Sequence, residues 1–335
     1  MKTINIGVVG LSYWGPNLLR NFLNTPGCRV KYGCDLRQEA LNKLKLQHPT
    51  VKFTNRYGDI LNGKDVDAVV IATPVSTHFE LAKSALLANK HVLLEKPMAS
   101  SAKECEELIE IAGKRNLILM MDYTFLYTGA IRKIKEIIDS KELGKIIYFD
   151  SERINLGLIQ DDINVIWDLA PHDISIMNYI FEEIKPISIF AIGTNHINKN
   201  FEEMAHITIK FDSGAVGHIH VSWLSPVKIR KILIGGTKKM ILYDDVEPSE
   251  KVKVYDKEIF LDLAQETPQK PIYRSGDVHT PKLEEMEALK LEVEHFIRCV
   301  NKEEVPLVDG RAGLGVVKIL EACDKSLKEK KEIIL

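Results

Sequence analysis

Over the first 122 residues, short apolar runs alternate with amphipathic stretches. The runs at 4–9, 29–34, 68–72, 91–94 and 117–121 predict strands. Helical patterns fill the gaps at 16–24, 38–47, 77–88 and 102–115. Strand–helix–strand alternation at this spacing predicts a doubly wound parallel sheet with right-handed crossovers. Ala68-Val69-Val70-Ile71-Ala72 is apolar at every position, as a central strand covered on both faces should be.

After Tyr123 the pattern changes. A helix at 129–139 leads to a strand at 145–154, a loop over 155–166 and a helix at 169–181. Runs at 187–192, 205–211, 215–223, 228–235, 238–243 and 251–255 follow with little helix between them. They predict a large, mostly antiparallel open sheet, with helices on one face, in an α+β second domain starting at residue 123. Residues 264–282, with Pro268, Pro271, Gly276 and Pro281, read as an ordered loop, and helices at 283–300 and 311–330 close the sequence.

Composition narrows the possible functions. The 335 residues suggest about two domains. A chain this long buries about three quarters of its unfolded surface and needs no staple. Lys and Arg number 45 against 47 Asp and Glu, which argues against nucleic acid as the main partner. The five cysteines are odd in number and none stands at CxxC spacing, so disulfides and structural zinc are not expected and a reducing cytoplasm is. No apolar run approaches the roughly 18 residues of a membrane helix. The N-terminal run, broken by Gly7, reads as a first strand rather than a secretory leader.

Candidate chemistry begins where that strand ends, at Gly10-Leu11-Ser12-Tyr13-Trp14-Gly15-Pro16-Asn17. It approximates G-x-G-x-x-G, with Ser12 in place of the second glycine, and Pro16 opens a helix. Such a loop delivers free N–H groups and a helix dipole to a diphosphate; the alternative is a plain strand-to-helix turn. Asp35 ends the second strand, 20 residues after Gly15, where an acid accepts hydrogen bonds from a ribose and repels a 2′-phosphate. That favours NAD over NADP, although Arg37 nearby works against the preference by neutralising a phosphate. Ala72-Thr73-Pro74 and Glu95-Lys96-Pro97 end two further strands, where ligands bind in such sheets. A lysine held in a cleft there suits proton transfer, whereas most lysines are merely solvated. Asp168 and His172 stand four apart at a helix start placed near Asp168, because Pro171 is tolerated in a first turn. They face one cleft with Lys96, or they are an N-cap and a packed histidine.

These residues together resemble the Gfo/Idh/MocA oxidoreductase family over essentially the whole sequence. The resemblance rests on the glycine loop, Asp35, Thr73-Pro74 with His78, Glu95-Lys96-Pro97 and the Asp168/His172 pair. Within the family, Gly10–Phe22, Asn155-Leu156-Gly157, Trp167–Asp173 and Ser222-Trp223-Leu224-Ser225-Pro226 resemble a branch acting on nucleotide sugars, including UDP-N-acetylglucosamine and UDP-N-acetylglucosaminuronate 3-dehydrogenases. The resemblance implies a Rossmann domain holding NAD through Gly10, Ser12, Tyr13, Trp14, Gly15, Asp35, Arg37, Thr73, Pro74, His78, Glu95 and Lys96. It implies that Lys96 and His172, with Asp168, handle a sugar hydroxyl as hydride leaves C3. His172 belongs to the side-chain type that ordinarily titrates near neutrality, and the reverse assignment, Lys96 as base, stays open. A substrate diphosphate would meet Arg153, Asn155, Gly157, Lys228 and Arg230; strand-edge Lys and Arg are otherwise solvated. The free sheet face would pack on a second copy, as a homodimer or homotetramer.

Other function classes make distinct demands. A polyol dehydrogenase of the inositol type shares the chemistry without the nucleotide. A non-catalytic NAD-binding sensor needs the glycine loop but not the Lys96, Asp168 and His172 trio. A metal hydrolase finds only His218 and His220 close together among ten histidines, on one strand face, so no metal is expected.

Overall fold

The computed structural model describes residues 2–261 and 271–335. The chain divides into two compact units, Met1–Tyr127 with Met286–Lys318, and Thr128–Glu285 with Ile319–Leu335. In chain order the first unit holds β1 (Ile4–Val9), α1 (Gly15–Asn24), β2 (Cys28–Cys34), α2 (Gln38–Gln47), β3 (Lys52–Thr54) and α3 (Tyr57–Leu61). It continues with β4 (Ala68–Ile71), α4 (Val75–Leu87), β5 (His91–Glu95), α5 (Ala102–Arg115), β6 (Leu119–Asp122) and a 3₁₀ turn, Thr124–Tyr127. Its six strands are parallel in the order β3-β2-β1-β4-β5-β6, the dinucleotide-binding arrangement. All four residues of β4 are buried, as its unbroken apolar run predicts.

The second unit opens with α6 (Gly129–Asp139), β7 (Ile146–Leu156) and α7 (Val165–Ile180). Then come β8 (Pro186–Thr194), β9 (Met204–Phe211), β10 (Val216–Ser222), β11 (Leu224–Gly236), β12 (Met240–Asp244), β13 (Val252–Leu261) and β14 (Pro271–His279). The chain closes with α8 (Ala288–Val300), α9 (Gly310–Glu329) and β15 (Ile333–Ile334). The nine-stranded sheet runs β14-β13-β12-β11-β7-β10-β9-β8-β15, antiparallel except for the β7–β10 pair. Ile207, Ile219 and Ile232 are buried on one face, while Phe190, Ile192 and Leu233 are exposed on the other.

Four expectations need correction. The boundary at 122/123 is too simple, because residues 286–318 return to the first unit. There Phe296 of α8 meets Phe22 of α1 edge-on at 6.2 Å, and Glu287 accepts hydrogen bonds from Arg20 and Asn21. Within the expected loop 264–282, residues 264–270 lie outside the described residues and 271–279 form β14. That strand is at the sheet edge and almost wholly exposed, so it carries no apolar alternation, and Pro271 takes its first position, where no ladder donor is lost. The loop expected over 155–166 is shorter, because β7 extends to Leu156 and α7 begins at Val165. The α7 cap is Asn164, whose side chain accepts from Trp167 N at 3.1 Å, and not Asp168. Pro171 therefore sits in the second turn, inside the helix.

Candidate functional site

The first unit gathers one set of candidates at the carboxyl ends of its parallel strands. Gly10 has φ +86°, and a Cβ there would lie 2.3 Å from Ala72 O. A Cβ on Gly15 would fall 1.7 Å from Gly10 O. Only glycine lets the chain turn this tightly into the start of α1, where a helix N-terminus can meet a diphosphate. Ser12 and Tyr13 are exposed, whereas the Trp14 indole is anchored by donating to Asp122 Oδ2 at 2.9 Å. The loop therefore fits a dinucleotide diphosphate without a second glycine.

Asp35 is buried at the end of β2. It accepts from Leu11 N at 2.7 Å, Arg37 N at 2.8 Å and the Arg37 guanidinium at 3.2 Å. Burial alone would raise its carboxyl, but the Arg37 side chain and the two backbone donors hold it below the usual carboxylate range. It stays ionised, as a ribose acceptor must. Arg37 itself is exposed and paired with the acid rather than extended toward solvent.

Thr73 and Pro74 lead into α4, where the Thr77 hydroxyl lies 2.7 Å from Thr73 Oγ1. His78 is 1% exposed, and its ring nitrogens stand 2.8 Å from Pro97 O and from Thr73 O. Its expected part in direct cofactor contact is thus corrected. The ring is sealed away and fastens the Thr73 loop to the loop after β5, where the Lys96–Pro97 peptide is cis. Glu95 and Lys96 are half-buried at that strand end, with Glu95 the register partner of Asp122 on β6.

The second unit gathers the other set around Trp223. Its indole donates to Asp168 Oδ2 at 3.0 Å, and its carbonyl accepts from Gly157 N at 2.9 Å. Asn155 lies beside Gly157, and β7 and β11 come into register at Leu156 and Leu224. Asp168 and His172 are both half-buried, one turn apart on α7. The segments Asn155–Gly157, Trp167–Asp173 and Ser222–Pro226, far apart in sequence, therefore converge on one side chain.

The candidate diphosphate contacts diverge. Lys228 is exposed, and Arg230 is half-buried against Asp245 at 3.3 Å. Arg153 is corrected: it is 3% exposed, with Nε 2.6 Å and Nη2 3.2 Å from the Asp173 carboxylate, which also accepts from Ser151 Oγ at 2.7 Å. A guanidinium engaged this way inside the unit offers no face to a dissolved phosphate. Burial alone would lower its proton affinity, but Asp173 raises it, so the pair remains ionic. Sequence reasoning missed Asp173 and Trp223 as supports of this cluster. The signal for Asp173 was an acid in the apolar stripe of Ala170, Ile174 and Met177.

Comparison with known proteins supplies the remaining findings. Residues 4–123 match the Gfo/Idh/MocA model described as an oxidoreductase family with an NAD-binding Rossmann fold, and 135–335 match its C-terminal alpha/beta domain. The myo-inositol 2-dehydrogenase of Thermotoga maritima is 25% identical over 350 aligned positions, covering 99% of this chain and 98% of its own. The UDP-N-acetylglucosamine 3-dehydrogenase of Acidithiobacillus ferrooxidans is 27% identical over 254, covering 76% of each. The WlbA dehydrogenase of Bordetella pertussis, solved with NADH and UDP-GlcNAcA, shares the fold at TM-score 0.85 and 19% identity, over 100% of this chain and 98% of its own.

Proposed function

This chain belongs to the Gfo/Idh/MocA oxidoreductase family, and from that membership we propose that it oxidises a hydroxyl, at C3, of a nucleotide sugar such as UDP-N-acetylglucosamine or its uronic acid. The coarser statement is firm: it is an NAD-binding dehydrogenase of the sugar-hydroxyl type. The observation that supports the nucleotide-sugar reading is the convergence on Trp223. The segments that resemble the nucleotide-sugar branch form one hydrogen-bonded cluster around Trp223, which holds Asp168.

When bound, NAD accepts the hydride. The protein's own residues do the rest. The glycine loop and Asp35 hold the cofactor's diphosphate and ribose. His172 takes the hydroxyl proton, while Asp168, steadied by Trp223, orients it or bonds a neighbouring hydroxyl. Lys96 donates to the oxygen that becomes a carbonyl and steadies its charge. Exposed Lys228 meets the substrate diphosphate, with Arg230 behind it. Of the region from 123 to 335 expected to bind substrate, the second unit, 128–285 with 319–335, is read as the substrate-binding part. A second copy covers the open sheet face carrying Phe190, Ile192 and Leu233, giving a dimer or tetramer. The cytoplasmic location expected from the odd number and spacing of the cysteines belongs to the same reading. Among the described residues no helix is long and apolar enough to cross a membrane.

The test offers NAD with UDP-N-acetylglucosamine, its uronic acid or myo-inositol, with and without a 2-oxo acid to reoxidise NADH. NADH absorbance and product mass are followed. A UDP-sugar product two hydrogens lighter is expected. Turnover of myo-inositol alone would move the enzyme to the polyol class, the reading favoured by the full-length Thermotoga match. His172→Ala and Lys96→Met should each lower turnover by about two to four orders of magnitude, with NAD binding intact in the His172 variant. Near-normal turnover in both would remove them from the chemistry.

A further inference from the structure

Two acids of the first unit lie apart from the assigned chemistry. Asp122, at the end of β6, is 2% exposed, and Glu292, on α8, is fully buried. Asp122 accepts from Trp14 Nε1 at 2.9 Å and from Thr124 Oγ1 at 2.7 Å. Among the described residues neither carboxyl oxygen of Glu292 has a well-formed hydrogen bond, and the Asp122 carboxylate lies against it, together with the Thr124 hydroxyl that donates to Asp122. Two buried carboxylates in contact repel, and one proton held between them turns that repulsion into a charge-assisted hydrogen bond. Burial first, and then the Asp122 charge, push Glu292 well above the usual carboxylate range, which keeps that proton in place.

The surroundings supply few other charges. Glu95 and Lys96 approach from the end of β5. On the α1 side, Arg20 and Asn21 are engaged by Glu287, just before α8. One turn beyond Glu292, His295 lies beside Tyr127 and bonds Glu304. The path from the pair to the cofactor cradle is a single side chain, because Trp14 precedes Gly15 at the start of α1.

We propose that Asp122 and Glu292, sharing one proton, are positioning residues for NAD, fixing the glycine loop through the Trp14 indole in the form that receives the diphosphate. Neither acid touches the cofactor. Loss of the shared proton forces β6 and α8 apart and releases the indole. The proposal goes beyond the sugar assignment and stands whichever sugar is oxidised.

Calorimetric titration of NAD into the whole protein, without sugar, between about pH 6.5 and 9.5 tests it. Wild-type affinity should fall about tenfold at the alkaline end as the pair loses its proton. Glu292→Gln should stay flat, since the amide still donates to Asp122 and has no proton to lose, while Lys96 and Glu95 are unchanged. Glu292→Ala should weaken NAD about tenfold at neutral pH by stranding the Asp122 charge, and Trp14→Phe should match it. A Glu292→Gln profile that tracks wild type overturns the proposal, as does wild-type affinity in Glu292→Ala. Should Glu292→Ala fail to fold, the comparison of wild type with Glu292→Gln decides alone.

Discussion

The two sheets of this chain solve burial in opposite ways. In the parallel sheet, β4 is buried at all four positions, and helices from the same chain complete the cover. What remains uncovered is the row of strand ends bearing Gly10, Asp35, Thr73 and Lys96, where the proposed cofactor contacts lie. In the nine-stranded sheet, β9 alternates, with Ala205, Ile207, Ile209 and Phe211 buried and His206 and Lys210 exposed. Its uncovered face mixes Phe190 and Leu233 with a stacked His206–His220 pair and the Glu152 that accompanies it. A sheet closed by its own chain offers only its ends; a sheet covered on one side keeps a whole face for another surface.

The largest test of this contrast places one charge in each sheet. Val70→Asp buries a carboxylate at a fully buried position and should cost about 5 kcal/mol or more, enough to unfold a domain of ordinary stability. Leu233→Asp, at a position 42% exposed in the single chain, should change the folding stability of one protomer by less than about 1 kcal/mol, its larger cost falling on the proposed association of copies. Urea unfolding followed by circular dichroism measures both. Equal losses would mean that the two faces are buried alike.

The same contrast explains what could be read beforehand. β4 of the parallel sheet was legible because every position is apolar, and its neighbours because their runs stay mostly so. The element pair β3 and α3 was not, because three and five residues are too few to show a period and Lys52, at the sheet edge, is exposed. The strand ends themselves were legible at Asp35 and Lys96, and the proposed roles of the two residues start from those positions. His78 and Arg153 were assigned to ligands because sequence gives residue type and not direction, and both turn inward to protein partners. Glu292 falls three residues after Leu289 and four before Phe296, inside an apolar stripe. Its burial was therefore written in the helical period, although its partner on β6 was not.

A middle-sized effect is expected inside the covered face of the second unit. Asp173→Ala leaves the Arg153 guanidinium buried without its carboxylate and should cost about 3–5 kcal/mol. Arg153→Met with Asp173→Leu should recover much of that, because an apolar pair of similar volume no longer needs solvating. A double mutant as weak as Asp173→Ala would make the pair a specific structural requirement rather than two mutually compensated charges.

The smallest effect concerns the open face. His206 stacks on His220 at 4.1 Å. Partial desolvation of the ring first, and then the His220 charge, lower its proton affinity below that of a free imidazole, while Glu152 works the other way. The unfolded chain therefore takes up a proton at a higher pH than the folded one, near about 6.5. Stability from this pair is complete above that value and is lost as pH falls through the lowered folded value. His78 and His91 are also held low by burial in the first unit, so acid weakens both sheets. His206→Asn should flatten only the share belonging to the second sheet. Thermal melting of wild type and variant from about pH 7 to 5 should show the gap between them narrowing or reversing in acid. Parallel curves would mean that the stacked pair carries no proton linkage and that acid sensitivity resides in the parallel sheet.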